Sequence, residues 1–150
     1  LTRKIRFVNN TCINAGTVWS HAQRPDRNGS HLMFYSNTAA TSEIEIKYNV
    51  FHNATEWGSR YTSGWETLPE VDYNLWSSET GVTVNWFGRK IGPFEEYRKT
   101  TGLDLHSRFG DPQFVDAGEG DFRLGADSPA RGIRADGGPI GATWLWNGGE

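Results

Sequence analysis

The chain has a single cysteine, Cys12, so no internal disulfide can form and a structural zinc site built on thiolates is excluded. No apolar run approaches the length of a membrane span, and no leader with a charged start and an apolar centre is visible. Neither sign of charge is in excess: the net charge of −3 exerts no overall pull toward nucleic acid or anionic membranes. Apolar residues make up only 36%, little for one layered core. Helical periodicity is scarce as well.

Aromatic residues offset part of that shortage. They form 13% of the chain and include seven Trp, each able to bury a large area. Glycine is abundant at 18 residues, a sign of many turns. A length of 150 residues fits one domain, or one piece of a larger one. The chain opens on Leu1 with a strand-like stretch, which suggests a processed protein, an engineered piece or a segment of a longer chain.

Three segments align on an asparagine: "KIRFVNNTCIN" at 4–14, "EIEIKYNVFHN" at 43–53 and "PEVDYNLWSS" at 69–78. The anchors are Asn10, Asn49 and Asn74. Phe7, Ile46 and Val71 stand three residues before them, and Cys12, Phe51 and Trp76 two residues after. Each unit reads as an alternating strand, a corner and a second short strand. Asparagine suits the corner because it tolerates the left-handed region and its amide bonds the backbone. Stacked asparagines can also bond to one another between layers, so the three anchors predict an asparagine ladder in a solenoid of successive coils.

Between the units lie polar excursions at 15–30 and 54–69, with further apolar strands at 31–36 and 82–87. One helix is expected at 93–102, "PFEEYRKTTG", with Pro93 at its start and Gly102 closing it. The rest of the chain reads as loops and short strands. Coils are therefore expected over 1–92, and a short helix with an irregular capping tail over 93–150. Helix and tail are placed to cover the open end of the stack.

These units resemble the coils of right-handed parallel β-helix proteins of the pectate-lyase-like superfamily. The tail strengthens the likeness: "TGLDLHSRFGDPQFVD" at 101–116, "GDFRLGADSPARG" at 120–132 and "GGPIGA" at 137–142 are similar to the C-terminal end of many bacterial β-helix proteins. The resemblance implies an all-β fold, a short right-handed parallel β-helix of about three or four coils. Characterised β-helix enzymes have many more coils, so the chain looks like the C-terminal end of one, excised or shortened. Its first strand then has no preceding coil, and another subunit in a homo-oligomer, or missing upstream coils, is expected to cover it. The resemblance also implies an extracellular or periplasmic location.

Members of this superfamily are most often polysaccharide lyases or glycoside hydrolases, which implies a polysaccharide or oligosaccharide as ligand. The two excursions should lie side by side and carry Trp19, His21, Arg24, Asp26, Arg27, Glu56, Trp57, Arg60, Tyr61 and Trp65. Aromatic faces stack on sugar rings, and Arg24, Arg27 and Arg60 can hold an acidic sugar bidentately. Trp19, His21, Arg24, Trp57, Arg60 and Tyr61 are the candidate substrate-binding residues. Asp26 and Glu56 are the candidate catalytic pair, since acid–base chemistry needs two carboxylates against the ligand. The bland alternative is that these aromatics pack the loops down and the charges are solvated. A non-catalytic structural or oligomerisation module is the second functional reading.

Other signals are weaker. His52 reads as a surface or structural histidine, and His106, Ser107 and Asp111 as turn and cap residues. No cofactor is expected, and no His/Cys set has zinc spacing. "DAGEGD" at 116–121 offers acids to calcium but lacks the EF-hand pattern. Sequons stand at Asn9, Asn28 and Asn53. Cys12 reads as a small buried filler.

Overall fold

A computed structural model describes residues 3–17, 29–35, 42–62, 67–79, 81 and 83–142. Among them the chain is mostly β, with one short helix. The strands come in successive triplets. First are β1 (Arg3–Val8), β2 (Thr11–Ala15) and β3 (Ser30–Phe34); then β4 (Ser42–Lys47), β5 (Val50–Ala54) and β6 (Trp57–Tyr61); then β7 (Glu70–Asp72), β8 (Leu75–Ser77) and β9 (Val84–Trp86). Next come β10 (Arg89–Ile91), helix α1 (Phe94–Thr101), β11 (Arg108–Phe109), β12 (Phe114–Asp116) and β13 (Asp121–Leu124).

Strands at the same place in each triplet pair in parallel. The sheets run β1-β4-β7, β2-β5-β8-β11 and β3-β6-β9, the last with β10 added antiparallel at its edge. Register follows the sequence anchors: Phe7 lies opposite Ile46 and Ile46 opposite Val71, while Cys12 lies opposite Phe51 and Phe51 opposite Trp76. Each column therefore stacks like on like, a strand spacing of about 4.8 Å apart. Phe51 sits between Phe7 (centroids 6.3 Å apart) and Trp76 (4.4 Å). In the third sheet Phe34, Tyr61 and Trp86 form a second aromatic column at 4.5 and 4.8 Å. The large buried area per ring makes up for the modest number of apolar residues.

The corner between first and second strands differs from expectation in one respect. The left-handed residue is not the anchor asparagine but the residue before it: Asn9, Tyr48 and Tyr73, at φ 56, 60 and 57°. This frees the anchor side chain to point inward. Asn10 Nδ2 and backbone N–H both donate to Asn49 Oδ1, at 3.0 and 2.9 Å. Asn49 does the same to Asn74 Oδ1, both at 3.0 Å. Asn49 and Asn74 are fully buried, so satisfying these groups internally is obligatory.

Ser107 and Asp104 end the ladder. The Asn74 N–H donates to Ser107 Oγ (2.8 Å), and Asn74 Nδ2 to Asp104 Oδ1 (3.2 Å). Asp104 also accepts from Ser107 Oγ (2.5 Å) and the Tyr97 hydroxyl (2.9 Å). Helix α1 carries Phe94 and Tyr97 into the same core as Phe51 and Trp76, and so covers this end of the stack. Its C-terminus is closed by Gly102 in the left-handed region, φ 72°, with its N–H on Arg98 O.

The first part of the tail covers that end together with the helix, since Leu103 joins the same core and β11 pairs in parallel with β8; the later part turns away from it. Leu124, Ala130, Ile133 and Ile140 pack instead on Val50 and Leu75, along the flank of the β2-β5-β8 sheet. That sheet is consequently buried on both faces, Val50 and Leu75 outward and Phe51 and Trp76 inward. The tail runs back along the stack, where Gly141 N–H reaches Tyr48 O of the second triplet (2.7 Å) and Ala142 N–H reaches Thr11 Oγ1 of the first (3.0 Å). Glycine is required at 141: φ is +80°, and a Cβ would stand 2.7 Å from Thr11 Oγ1 and 3.0 Å from Val50 Cγ2.

Candidate functional site

Alternation along the third sheet separates two faces. Phe34, Tyr61 and Trp86 face the interior column. Met33, Arg60 and Asn85 fall on the opposite face and stand in register across β3, β6 and β9, with Lys90 of β10 paired to Asn85. The row crosses three strand spacings, about 14 Å. Pairing continues one residue past the strands, because Thr62 N–H reaches Phe34 O and Phe87 N–H reaches Tyr61 O, each at 3.0 Å. Tyr35, Thr62 and Phe87 therefore form a second row beside the first.

Two aromatics of this second row face water. Tyr35 is 71% exposed and Phe87 40%. Phe87 is held at the tip of the β9–β10 hairpin, where it and Gly88 both have positive φ (50 and 87°). That pair of angles is the two-residue hairpin turn whose twist matches the flanking strands. Asn85 Oδ1 fastens the turn by accepting the Gly88 N–H at 2.9 Å. The Phe87 ring leans edgewise on Trp86 at 4.7 Å, which fixes its direction. Beside these rings stand the Arg60 and Lys90 cations, neither in an ion pair among the described residues.

Of the residues the sequence nominated, Trp57 and Arg60 lie on strand β6 rather than in a loop. Glu56 immediately precedes the strand and is exposed. Tyr61, expected to touch a ligand, is 1% exposed. It belongs to the interior stack, and burial pushes its hydroxyl pKa up. Trp19, His21, Arg24, Asp26, Arg27 and Trp65 lie outside the described residues. The long excursion between β2 and β3 leaves and returns at one point, since Thr55 N–H bonds Ala15 O and Glu56 N–H bonds Gly29 O. Gly29 has to be glycine there, because a Cβ would meet Thr55 Oγ1 at 1.7 Å. Met33, Asn85, Lys90, Tyr35 and Phe87 were missed, because no shared residue marks the third strand of each triplet.

Three other depressions lie away from this face. A cleft of about 290 Å³ is lined by His52, Ser77, Glu79 and Asp111. His52 Nδ1 lies 2.9 Å from Ser77 Oγ, the distance of a nucleophile–base pair. The tautomer argues against that role. Glu79 N–H donates to Asn53 Oδ1, which leaves Asn53 Nδ2 to donate to His52 Nε2 (3.1 Å). Nδ1 then carries the proton and donates to Ser77, so the ring cannot deprotonate the hydroxyl. Burial lowers the His52 pKa, against the opposing pull of Asp111 and Glu79.

A larger cleft, about 780 Å³, lies between α1 and the tail and is lined by Pro93, Phe94, Phe109 and Pro129. Its arginines are committed to the fold. Arg98 holds Leu105 O and Glu95, and Arg108 holds the carbonyls of Pro129, Arg131 and Gly132. A third depression, over β1, β4 and β7, is lined by Arg6, Glu45 and Glu70, which with Lys47 neutralise one another in a chain of ion pairs.

His106, Ser107 and Asp111 form no triad. His106 Nδ1 bonds Asp72 (2.7 Å), Ser107 is buried in the ladder, and Asp111 takes the Gln113 N–H. Among the described residues no group of three or more His, Cys, Asp or Glu could hold a metal ion. In the 116–121 turn Asp116 accepts the Glu119 N–H and Asp121 is clasped by Arg123.

No protein-family model matches the chain. No solved structure matches it. The chain is similar to the uncharacterized protein YwoF of Bacillus subtilis strain 168, with 37% identity over 65 residues. The match covers 42% of this chain and 14% of that protein. The chain thus spans a small fraction of the relative's length.

Proposed function

We propose that the chain is a short right-handed parallel β-helix of the pectate-lyase-like kind, and that it binds carbohydrate along the outer face of β3, β6, β9 and β10. The observation that carries this reading is the in-register row Met33–Arg60–Asn85–Lys90 beside the exposed rings of Tyr35 and Phe87. Rings supply apolar platforms for sugar faces, Asn85 can bond hydroxyls, and the two cations suit the carboxylates of an acidic sugar. The successive triplets with like residues in register, and the tail motifs, support the β-helix. An extracellular or periplasmic location belongs to the same proposal.

The test is affinity electrophoresis and calorimetry against acidic and neutral polysaccharides. Retardation by a polyuronide, weakened at least about tenfold by Arg60→Ala and by Phe87→Ala, is expected for loss of a charge-assisted pair or a stacking contact. Absence of binding to every glycan would favour the second reading, a non-catalytic structural module. The edge at β1, β2 and β3, where each sheet ends among the described residues, speaks for that reading.

A further inference from the structure

Among the described residues the three sheets all end on the first triplet: β1, β2 and β3 are each the last strand of their sheet. Residues buried in later triplets are open here. Ile5 is 41% exposed, and Phe7 and Cys12 are only partly buried, whereas Ile46, Phe51, Val71 and Trp76 in the same columns are 3% exposed or less.

The ladder adds a direction to this open edge. In the first two triplets the backbone N–H and Nδ2 of the asparagine both donate forward to the Oδ1 of the next, and in the third they donate forward to Ser107 Oγ and Asp104 Oδ1. Asn10 uses Nδ2 on Asn49 Oδ1 and Val8 O, and its own Oδ1 receives no donor among the described residues. The open edge therefore asks for a partner that brings two N–H donors to one point, with strands running parallel.

We infer that the first triplet is a docking surface for one more strand–corner–strand layer, supplied by polypeptide that precedes Arg3, with a side-chain amide at its corner donating to Asn10 Oδ1. A second copy fits less well in either orientation. A two-fold pairing of these edges would oppose one Asn10 Oδ1 to another and run the strands antiparallel. A head-to-tail copy would have to present its far end, which Asp104, Ser107 and α1 already occupy.

The experiment compares hydrogen exchange in the 150-residue chain and in the same chain carrying the coding sequence that precedes it in its gene. The upstream sequence should slow exchange across β1 and β2 by about 100-fold or more, as expected when an open edge becomes an interior one. Changing the upstream corner amide to leucine should return part of that exchange. Three results would overturn the inference. The gene could encode no upstream layer. The shorter chain could form a symmetric dimer with β1 and β2 already protected. Removal of residues 143–150, which follow Ala142 at Thr11, could be what exposes these strands.

Discussion

Asn49 Nδ2 and the Asn49 backbone N–H converge on one atom, Asn74 Oδ1, each at 3.0 Å, in a site with no exposure to water. Two donors on one carbonyl oxygen use both of its lone pairs; Asn49 Nδ2 also donates to Phe7 O (2.9 Å), but the backbone N–H has no other acceptor among the described residues. Replacing Asn74 with alanine should therefore cost more than one hydrogen bond. The Asn49 N–H would lose its acceptor and Asn49 Nδ2 one of two, while Asp104 and Ile46 O would each lose the Asn74 Nδ2 donor, for a loss of about 3–5 kcal/mol. Urea unfolding measures it, with Asn10→Ala expected to cost less because that layer is partly exposed.

His31 sets the acid limit of the fold. Burial, and secondarily the neighbouring His52, depress its pKa from 6.5 to about 4. The neutral ring is the folded form, so the stability it contributes is complete above pH 6.5 and is lost as pH falls through 4. The loss amounts to the order of 3 kcal/mol. Unfolding free energies at pH 7 and pH 4.5 should converge for His31→Gln relative to the wild type.

Asp104 has the opposite sign. Burial raises its pKa, although Ser107, Asn74 and Tyr97 donate to it. A carboxyl that is harder to ionise in the folded chain favours folding most at low pH, and that contribution fades as pH rises through its folded value. The stability difference between wild type and Asp104→Asn should shift in favour of the wild type as pH falls toward 4.

Gly141→Ala tests how the tail is fastened. The added Cβ would press on Thr11 Oγ1 and Val50 at a positive φ, so a loss of about 2 kcal/mol or more is expected. Limited proteolysis should then cut the tail faster, while α1 and the ladder keep their protection.

The asparagine units made much of the fold legible. Matching Asn10, Asn49 and Asn74 also matched Phe7 with Ile46 and Cys12 with Phe51, because parallel stacking puts identical positions of each unit in contact. The corner itself was misread. Two of its three left-handed residues are Tyr48 and Tyr73, types that give no sequence signal for that conformation. Ser107 was hidden as the fourth member of the ladder because a hydroxyl can take the accepting role of an amide. The candidate face was the least visible part. "SHLMF", "WGSRY" and "VNW" share neither an anchor nor a clean alternation, and only pairing of the strands brings Met33, Arg60 and Asn85 into one row.

The most direct measurement of the central claim is a two-dimensional amide NMR titration with a short oligouronide. Binding along the outer face of the third sheet predicts shifts that cluster at Tyr35, Arg60, Thr62, Asn85, Phe87 and Lys90 and vanish in Arg60→Ala. An unchanged spectrum at millimolar ligand, or shifts gathered at Phe94 and Phe109 beside the helix, would contradict it.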